Sequence, residues 1–238
     1  MVSGRRVGRG AVPIRSRKPP LSRWPGIINL NSLRRWPIAA QTRVARQHRT
    51  RTRDPERKGR ILVAAADLVA RKGFHGVSMA DIGAAAGITG SGVYRHFERK
   101  SAVLVALFDQ CIDDLLREEQ QIIASVGDLR EALDLLIAGQ VEFVVADREL
   151  ARVYYSEINN LPDQDRRRLR RKQRIYLEEW VHLASELRSG LSDGDARTLV
   201  HAMIGAIQSP LFHNAGLDDD RQRTLLIEAA RAIAGITQ

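Results

Sequence analysis

The segment Val77-Ser78-Met79-Ala80-Asp81-Ile82-Gly83-Ala84-Ala85-Ala86-Gly87-Ile88-Thr89-Gly90-Ser91-Gly92-Val93-Tyr94-Arg95-His96-Phe97 constrains the fold of this chain more than any other stretch. Ser78 and Asp81 form an S-x-x-D start signal. The serine can cap free backbone N–H groups, and the aspartate adds negative charge where the helix dipole is positive. Met79, Ile82 and Ala86 follow at spacings of three and four, which is one helical face. Gly87 stops that helix, and Thr89 can cap a second one. There Val93 and Phe97 fall four apart and point inward, leaving Gly90, Ser91, Tyr94 and Arg95 outside. Two short helices joined this tightly read as a helix-turn-helix, which presents its second helix to the DNA major groove.

The same periodicity organises the rest of the chain. Asp54 caps a preceding helix with Pro55 in its first turn; its apolar face is Ile61, Ala65, Leu68 and Val69, and Lys72-Gly73 ends it. Lys100 opens a long helix to about residue 124, with Val103, Leu104, Leu107, Phe108, Cys111, Ile112, Leu115 and Leu116 along one side. Asp128 and Asp147 start two more helices. A loop at 159–162 precedes a charged helix from 163 to about 188, striped with Leu169, Tyr176, Trp180, Leu183 and Leu187. Ser192 and Asp195 repeat the S-x-x-D signal, Pro210 breaks the helix they start, and Asp218–Asp220 seat the last one. Aromatic residues make up 5% of the chain, Ala and Leu dominate the apolar set, and alternating strand patterns are nearly absent. The expected fold is all-α: a three-helix helix-turn-helix domain over 54–104, joined by a long helix to a helical domain over 105–238. Its last two apolar helices offer a surface for a second copy.

Charge divides the chain unevenly. Residues 1–53 carry 14 Lys+Arg and no acid, so the net +10 of the whole leaves residues 54–238 at −4. That first segment also holds five of the eight prolines and keeps no helical or strand period, and it reads as a disordered basic tail. Three accounts of it stay open: an arm adding phosphate contacts through Arg49, Arg51 and Arg53, a targeting peptide, and translation from a start placed too far upstream in an arginine-rich, high-GC gene. No apolar run approaches the ~20 residues of a membrane span, and the single Cys111 reads as a core thiol. A cytoplasmic protein is expected.

No P-loop, dinucleotide fingerprint, H-E-x-x-H pair or G-x-S-x-G elbow is present. His182 and His201 have no partner at ligand spacing, and Glu157, Glu178 and Glu179 read as solvated or capping groups. No catalytic residue, metal site or cofactor is expected. Arg166, Arg167, Arg168, Arg170, Arg171 and Lys172 cluster at the start of the charged helix, against the dipole. They read either as a solvated face or as a patch for an acidic ligand group.

The motif residues Ser78, Asp81-Ile82, Ala86-Gly87-Ile88, Val93-Tyr94 and Phe97, within Phe74 to Lys100, resemble the DNA-binding domain of TetR-family transcriptional regulators. The resemblance covers roughly residues 54–104, and the helical remainder suits the family's ligand-binding and dimerising domain. It implies a ligand-responsive regulator, a repressor by the family's habit, that binds double-stranded DNA at a near-palindromic operator as a homodimer and is released by a small, largely apolar effector. It implies DNA contacts from Ser78, Thr89, Gly90, Ser91, Tyr94, Arg95, His96 and Lys100. Many members have a basic residue where this chain has Gly90. Candidate effector contacts are Phe143, Tyr154, Tyr155, Trp180, Met203 and Phe212, which suit a lipid-like or aromatic effector, while the cluster from Arg166 to Lys172 would suit an acyl-CoA-type ligand. The competing expectation is a non-specific nucleic-acid binder driven by the basic tail.

Overall fold

The computed structural model describes residues 57–236, and every regular element among them is helical. The expected cap at Asp54, Pro55 and the tail 1–53 lie outside the described residues. Helix α1 (Arg57–Lys72) turns its Ile61, Leu62, Ala65 and Val69 inward and ends at Gly73, whose φ of 69° closes the turn. Helices α2 (Met79–Ala85) and α3 (Gly90–Tyr94) follow, and α4 (Lys100–Ser125) leaves them as a 26-residue rod. At about 1.5 Å per residue that rod is roughly 39 Å long. Its first half seats Val103, Leu104, Leu107 and Phe108 in the core, and its second half runs into the next domain.

That domain is built from α5 (Leu129–Ala146), α6 (Arg148–Glu157), α7 (Asp163–Leu187), α8 (Asp193–Gln208) and α9 (Asp219–Ala234). The start signals act as read except at Asp147, which precedes α6 without a side-chain cap bond. Asp128 and Asp218 accept from the third residue of their helices, and Ser192 with Asp195 makes a reciprocal capping box. Helix α5 is the apolar centre, burying Leu133, Leu136, Ile137, Val141 and Val144, and it packs on α4, α6, α7, α8 and α9. The stripe of α7 is buried at Leu169, Tyr176, Trp180 and Leu183. Pro210 ends α8 in a short 3₁₀ turn held by Arg148 donating to its carbonyl at 2.5 Å. None of the described helices is long and apolar enough to cross a membrane.

Candidate DNA interface and effector cavity

The helix-turn-helix is closed by its glycines and caps. Ser78 Oγ accepts from Asp81 N at 3.1 Å and donates to Asp81 Oδ2 at 2.6 Å, while Ser78 N donates to the same carboxylate at 2.8 Å. Those bonds from Ser78 hold the Asp81 carboxyl below its ordinary range. Gly87, with φ 72°, supplies the left-handed residue after α2. Helices α2 and α3 then cross very closely: a Cβ on Gly83 would lie 2.9 Å from Gly90 N and from the Thr89 carbonyl. A Cβ on Gly90 would sit 3.2 Å from Ala80 Cα. The glycine that departs from the basic residue common in such motifs is therefore part of this crossing.

On the outer side, Thr89 Oγ1 accepts from Gly92 N at 3.1 Å and lies 2.9 Å from Ser91 Oγ. Tyr94 is 57% exposed, and Arg95 and His96 are exposed beside it. Ser78 and Ser91 are exposed as well. Lys100 is placed differently. Its Nζ donates to Phe74 O at 2.5 Å and Val77 O at 2.6 Å and stands 4.3 Å from the centre of the Phe74 ring. Two of its three N–H groups are thus spent inside the domain, pinning the α1–α2 turn to the head of α4.

A cavity lies between α4, α5, α6, α7 and α8. Cys111, Ile112 and Leu115 of α4, Gln140 and Phe143 of α5, Tyr154 and Tyr155 of α6, Gln173, Tyr176 and Leu177 of α7, and Ile204 and Gln208 of α8 line it. Its free volume is about 40 Å³, room for about three waters. Burial pushes the Cys111 thiol and the Tyr154 and Tyr155 phenols up, so the wall is uncharged at neutral pH. Tyr176 OH donates to Gln140 Oε1 at 3.1 Å and Tyr154 OH to Gln173 Oε1 at 3.4 Å.

Tyr155, Gln173, Leu177, Ile204 and Gln208 also border an outer groove of about 440 Å³, which adds Arg170, Arg174, Arg197 and His201. The apolar chamber therefore opens beside a basic surface. Much of the cluster at the start of α7 is engaged elsewhere: Arg168 grips Asp109 with both terminal nitrogens at 2.5 and 2.6 Å, Lys172 bridges Asp109 and Asp113 at 2.9 and 2.7 Å, and Arg166 pairs with Asp163 at 2.6 Å. The bonds to Asp109 and Asp113 brace α7 against α4. Glu178 is not merely solvated, since it takes two bonds from Arg197 at 2.7 and 2.8 Å.

The family model for bacterial regulatory proteins of the tetR family matches residues 61–107, and that for the tetracyclin repressor-like C-terminal domain matches residues 126–210. Together they span more than half of the chain. It belongs to the TetR family. Among curated relatives, the HTH-type transcriptional repressor KstR2 of Rhodococcus jostii is 29% identical over 143 residues, 60% of this chain and 69% of that protein. The structure of the Bacillus subtilis regulator FadR in complex with stearoyl-CoA superposes with a TM-score of 0.63 at 19% identity, over 76% of this chain and 99% of FadR. That of AibR in complex with isovaleryl coenzyme A and operator DNA gives 0.63 at 21%, over 73% and 97%.

For this TetR-family chain, three of the six effector candidates named from sequence share the cavity: Phe143, Tyr154 and Tyr155. Trp180 and Met203 are fully buried in the packing around it, and Phe212 is 66% exposed with its ring edge-on to Tyr155. Gln140, Gln173 and Gln208 were not legible as site residues, because polar residues on helices are ordinarily surface residues. Gln140 at 5% exposure on the inward face of α5 carried the one usable signal, a polar position inside an apolar stripe. Glu157 is a correction: it is buried, not solvated. Its Oε2 accepts from Asn160 Nδ2 at 2.5 Å and its Oε1 lies 3.4 Å from Phe74 N. The Phe74 turn is thus held by α4 through Lys100 and by α6 through Glu157.

Proposed function

We propose that this chain is a ligand-responsive repressor that binds a near-palindromic operator as a homodimer and is released by an acyl thioester or a similar effector with an apolar body and an anionic head. One observation carries the reading: α4 belongs to both sites. Its first residue, Lys100, holds the Phe74 turn, and Cys111, Ile112 and Leu115 on the same rod line the cavity. An acyl chain seated there would press on α4 and its neighbours. A shift of α4 relative to α6 is felt at the turn that Lys100 and Glu157 share. Release then follows from the effector's higher affinity for the displaced arrangement.

Residues 54–104 would be the DNA-binding unit and 105–238 the effector-binding and dimerising unit. Ser78, Thr89, Gly90, Ser91, Tyr94, Arg95 and His96 would meet the DNA, with Lys100 retaining one free N–H. In the dimer the two α3 helices would lie about 34–36 Å apart, one turn of DNA. Phe143, Tyr154 and Tyr155 would contact the effector's body. Arg170 and Arg174 at the groove would meet its head, in keeping with the acyl-CoA ligands named for FadR and AibR.

The test is fluorescence-anisotropy titration against the region upstream of the chain's own gene and its neighbours. Specific binding lost on adding stearoyl-CoA or isovaleryl-CoA supports the reading. Tyr94→Ala and Arg95→Ala should each weaken specific binding about 10- to 100-fold; unchanged binding would remove them from the interface. The +14 tail favours a second reading, non-specific binding to nucleic acid. Deleting residues 1–53 separates the two: a regulator keeps its sequence preference, whereas a tail-driven binder loses most of its affinity with a shallower salt dependence.

A further inference from the structure

Beyond Leu115 a second, smaller chamber adjoins the cavity. Leu115, Glu118, Glu119 and Ile122 of α4, Leu136, Gly139 and Gln140 of α5, and Tyr176 of α7 line it. It shares Leu115, Gln140 and Tyr176 with the first chamber. Going from the first to the second, the lining residues rise in number along α4 and fall along α5. The second chamber is therefore the deep end, away from the helix-turn-helix. Its free volume is about 10 Å³, the size of one water or hydroxyl group.

This deep end is polar in an unusual way. Glu119 is 5% exposed, and its Oε1 has no hydrogen-bond partner among the described residues. Glu118 Oε1 is buried and likewise without a partner. Gly139 leaves room for it, since a Cβ there would come within 3.3 Å of that oxygen. Gln140 already takes the Tyr176 hydroxyl on its own Oε1. Among the described residues no Lys or Arg lines the chamber, and the neighbouring charges that act on its two carboxyls, Asp114 of α4 and Glu179 of α7, are acidic. A buried acceptor left unsatisfied is costly, roughly 1–3 kcal/mol, so a ligand group that satisfies it gains affinity. A ligand made wholly of methylenes and methyls would bury these oxygens again without a partner.

Resting on the reading of the cavity as an effector site, we propose that the effector carries a hydroxyl group on the end of its apolar body remote from the anionic head, and that Glu119, flanked by Glu118 and Gln140, selects it. A hydroxyl suits the site because it both donates and accepts, and so pairs with a carboxyl in either protonation state. Burial, with Glu179 nearby, pushes the Glu119 carboxyl up to about 8, so a neutral partner fits it better than a cation at neutral pH. The distance from Cys111 to Glu119 along α4 is about 12 Å, which suits an extended chain of medium length.

The experiment measures affinities of the full chain by isothermal titration calorimetry for two matched pairs. One pair is dodecanoyl-CoA and its ω-hydroxy analogue; the other is dodecanoic acid and its ω-hydroxy analogue. The ω-hydroxy member should bind about 10- to 100-fold more tightly in each pair. Glu119→Leu should abolish that preference by strengthening the plain chain and weakening the hydroxylated one; Glu119→Gln, which keeps an acceptor, should retain part of it. A role for Glu119 in structure alone would shift both members equally. Equal affinity of the wild-type chain within both pairs overturns the proposal, and this comparison needs no variant to fold. Tighter binding of an ω-amino analogue than of the ω-hydroxy one overturns it in favour of a cation site. If the acids are discriminated but neither thioester binds, the acyl-thioester reading fails and the deep-end proposal stands. If none of the four binds, both fail.

Discussion

Two side-chain positions show how local chemistry decides what this molecule can be. At Gly83 the backbones of α2 and α3 approach so closely that a methyl group would meet Gly90 N and the Thr89 carbonyl at 2.9 Å. Nothing flexible can yield there, so Gly83→Ala should cost about 1–3 kcal/mol and splay the two helices. The expected outcome is a lower urea midpoint together with weakened operator binding. Gly90→Ala, whose methyl would meet Ala80 Cα at 3.2 Å, should cost less. Equal midpoints for Gly83→Ala and the wild type would show that the crossing is looser than described. At Glu119 the deciding term is proton linkage. Burial and then Glu179 raise its folded pKa to about 8 from an ordinary 4.5. A raised folded pKa means the folded state holds the proton more tightly than the unfolded chain. The associated stability is present in full below about pH 4.5 and is lost as pH rises through about 8. Asp147, raised to about 6 by burial and then by Glu142, works in the same direction over a lower range. Melting temperatures should therefore fall between pH 6 and 8 in the wild type, and Glu119→Leu should flatten that fall. An unchanged slope in the variant would mean that Glu119 ionises as an ordinary surface carboxylate.

Helices are the level at which the sequence was most readable, because their signals are local. Ser78, Thr89, Asp128, Ser192 and Asp218 each cap the helix their spacing announced, and the α4 and α7 stripes are buried largely as the three-and-four periodicity requires. Partners were less readable, because they lie far apart in sequence. Arg168 and Lys172 meet Asp109 and Asp113 across about sixty residues, and Glu157 reaches Phe74 across 83. Glu119 stands one position beyond Glu118 on a helix whose other acids, Asp109, Asp113, Asp114 and Glu118, are all less buried than it is, so nothing local marks it as buried. Lys100 belongs to the same class. The family resemblance implied a DNA contact, while the fold turns its ammonium onto Phe74 O and Val77 O. These alternatives differ in a measurable way. Lys100→Met should lower stability by roughly 2 kcal/mol through two lost charged hydrogen bonds, and should weaken operator binding while leaving its salt dependence unchanged. A phosphate contact would instead reduce the salt slope by about one.

The whole molecule has to join a DNA-reading surface to an effector cavity, and a single copy has one recognition helix. The exposed sides of α8 and α9 offer the means to bring in a second. Thr198, Ala202 and Gly205 on α8, and Leu225, Ala229 and Ala232 on α9, are exposed at spacings of three and four, and they are mostly small or apolar. Small side chains let helices approach closely, and Leu225, at 36% exposure, is a large apolar residue that its own copy leaves uncovered. A two-fold contact through this face would bury Leu225 of both copies. Leu225→Glu would place two like charges in that contact while facing solvent in the monomer. The expected result is a shift from dimer to monomer in light scattering with little change in helical content by circular dichroism. The same variant should lose most of its specific affinity for a two-half-site operator fragment, because each copy then binds one half-site alone. It should lose much less for a fragment carrying a single half-site. The groove that would take the effector's head is also bordered by α8, through Arg197, His201 and Gly205. An effector bound there lies next to the dimer surface as well as against α4, so it can bias both the turn that Lys100 and Glu157 hold and the separation of the two recognition helices. A monomeric Leu225→Glu variant that still binds effector but no longer couples it to DNA release would place the coupling in the dimer; retained coupling on the single half-site would place it within one copy, along α4.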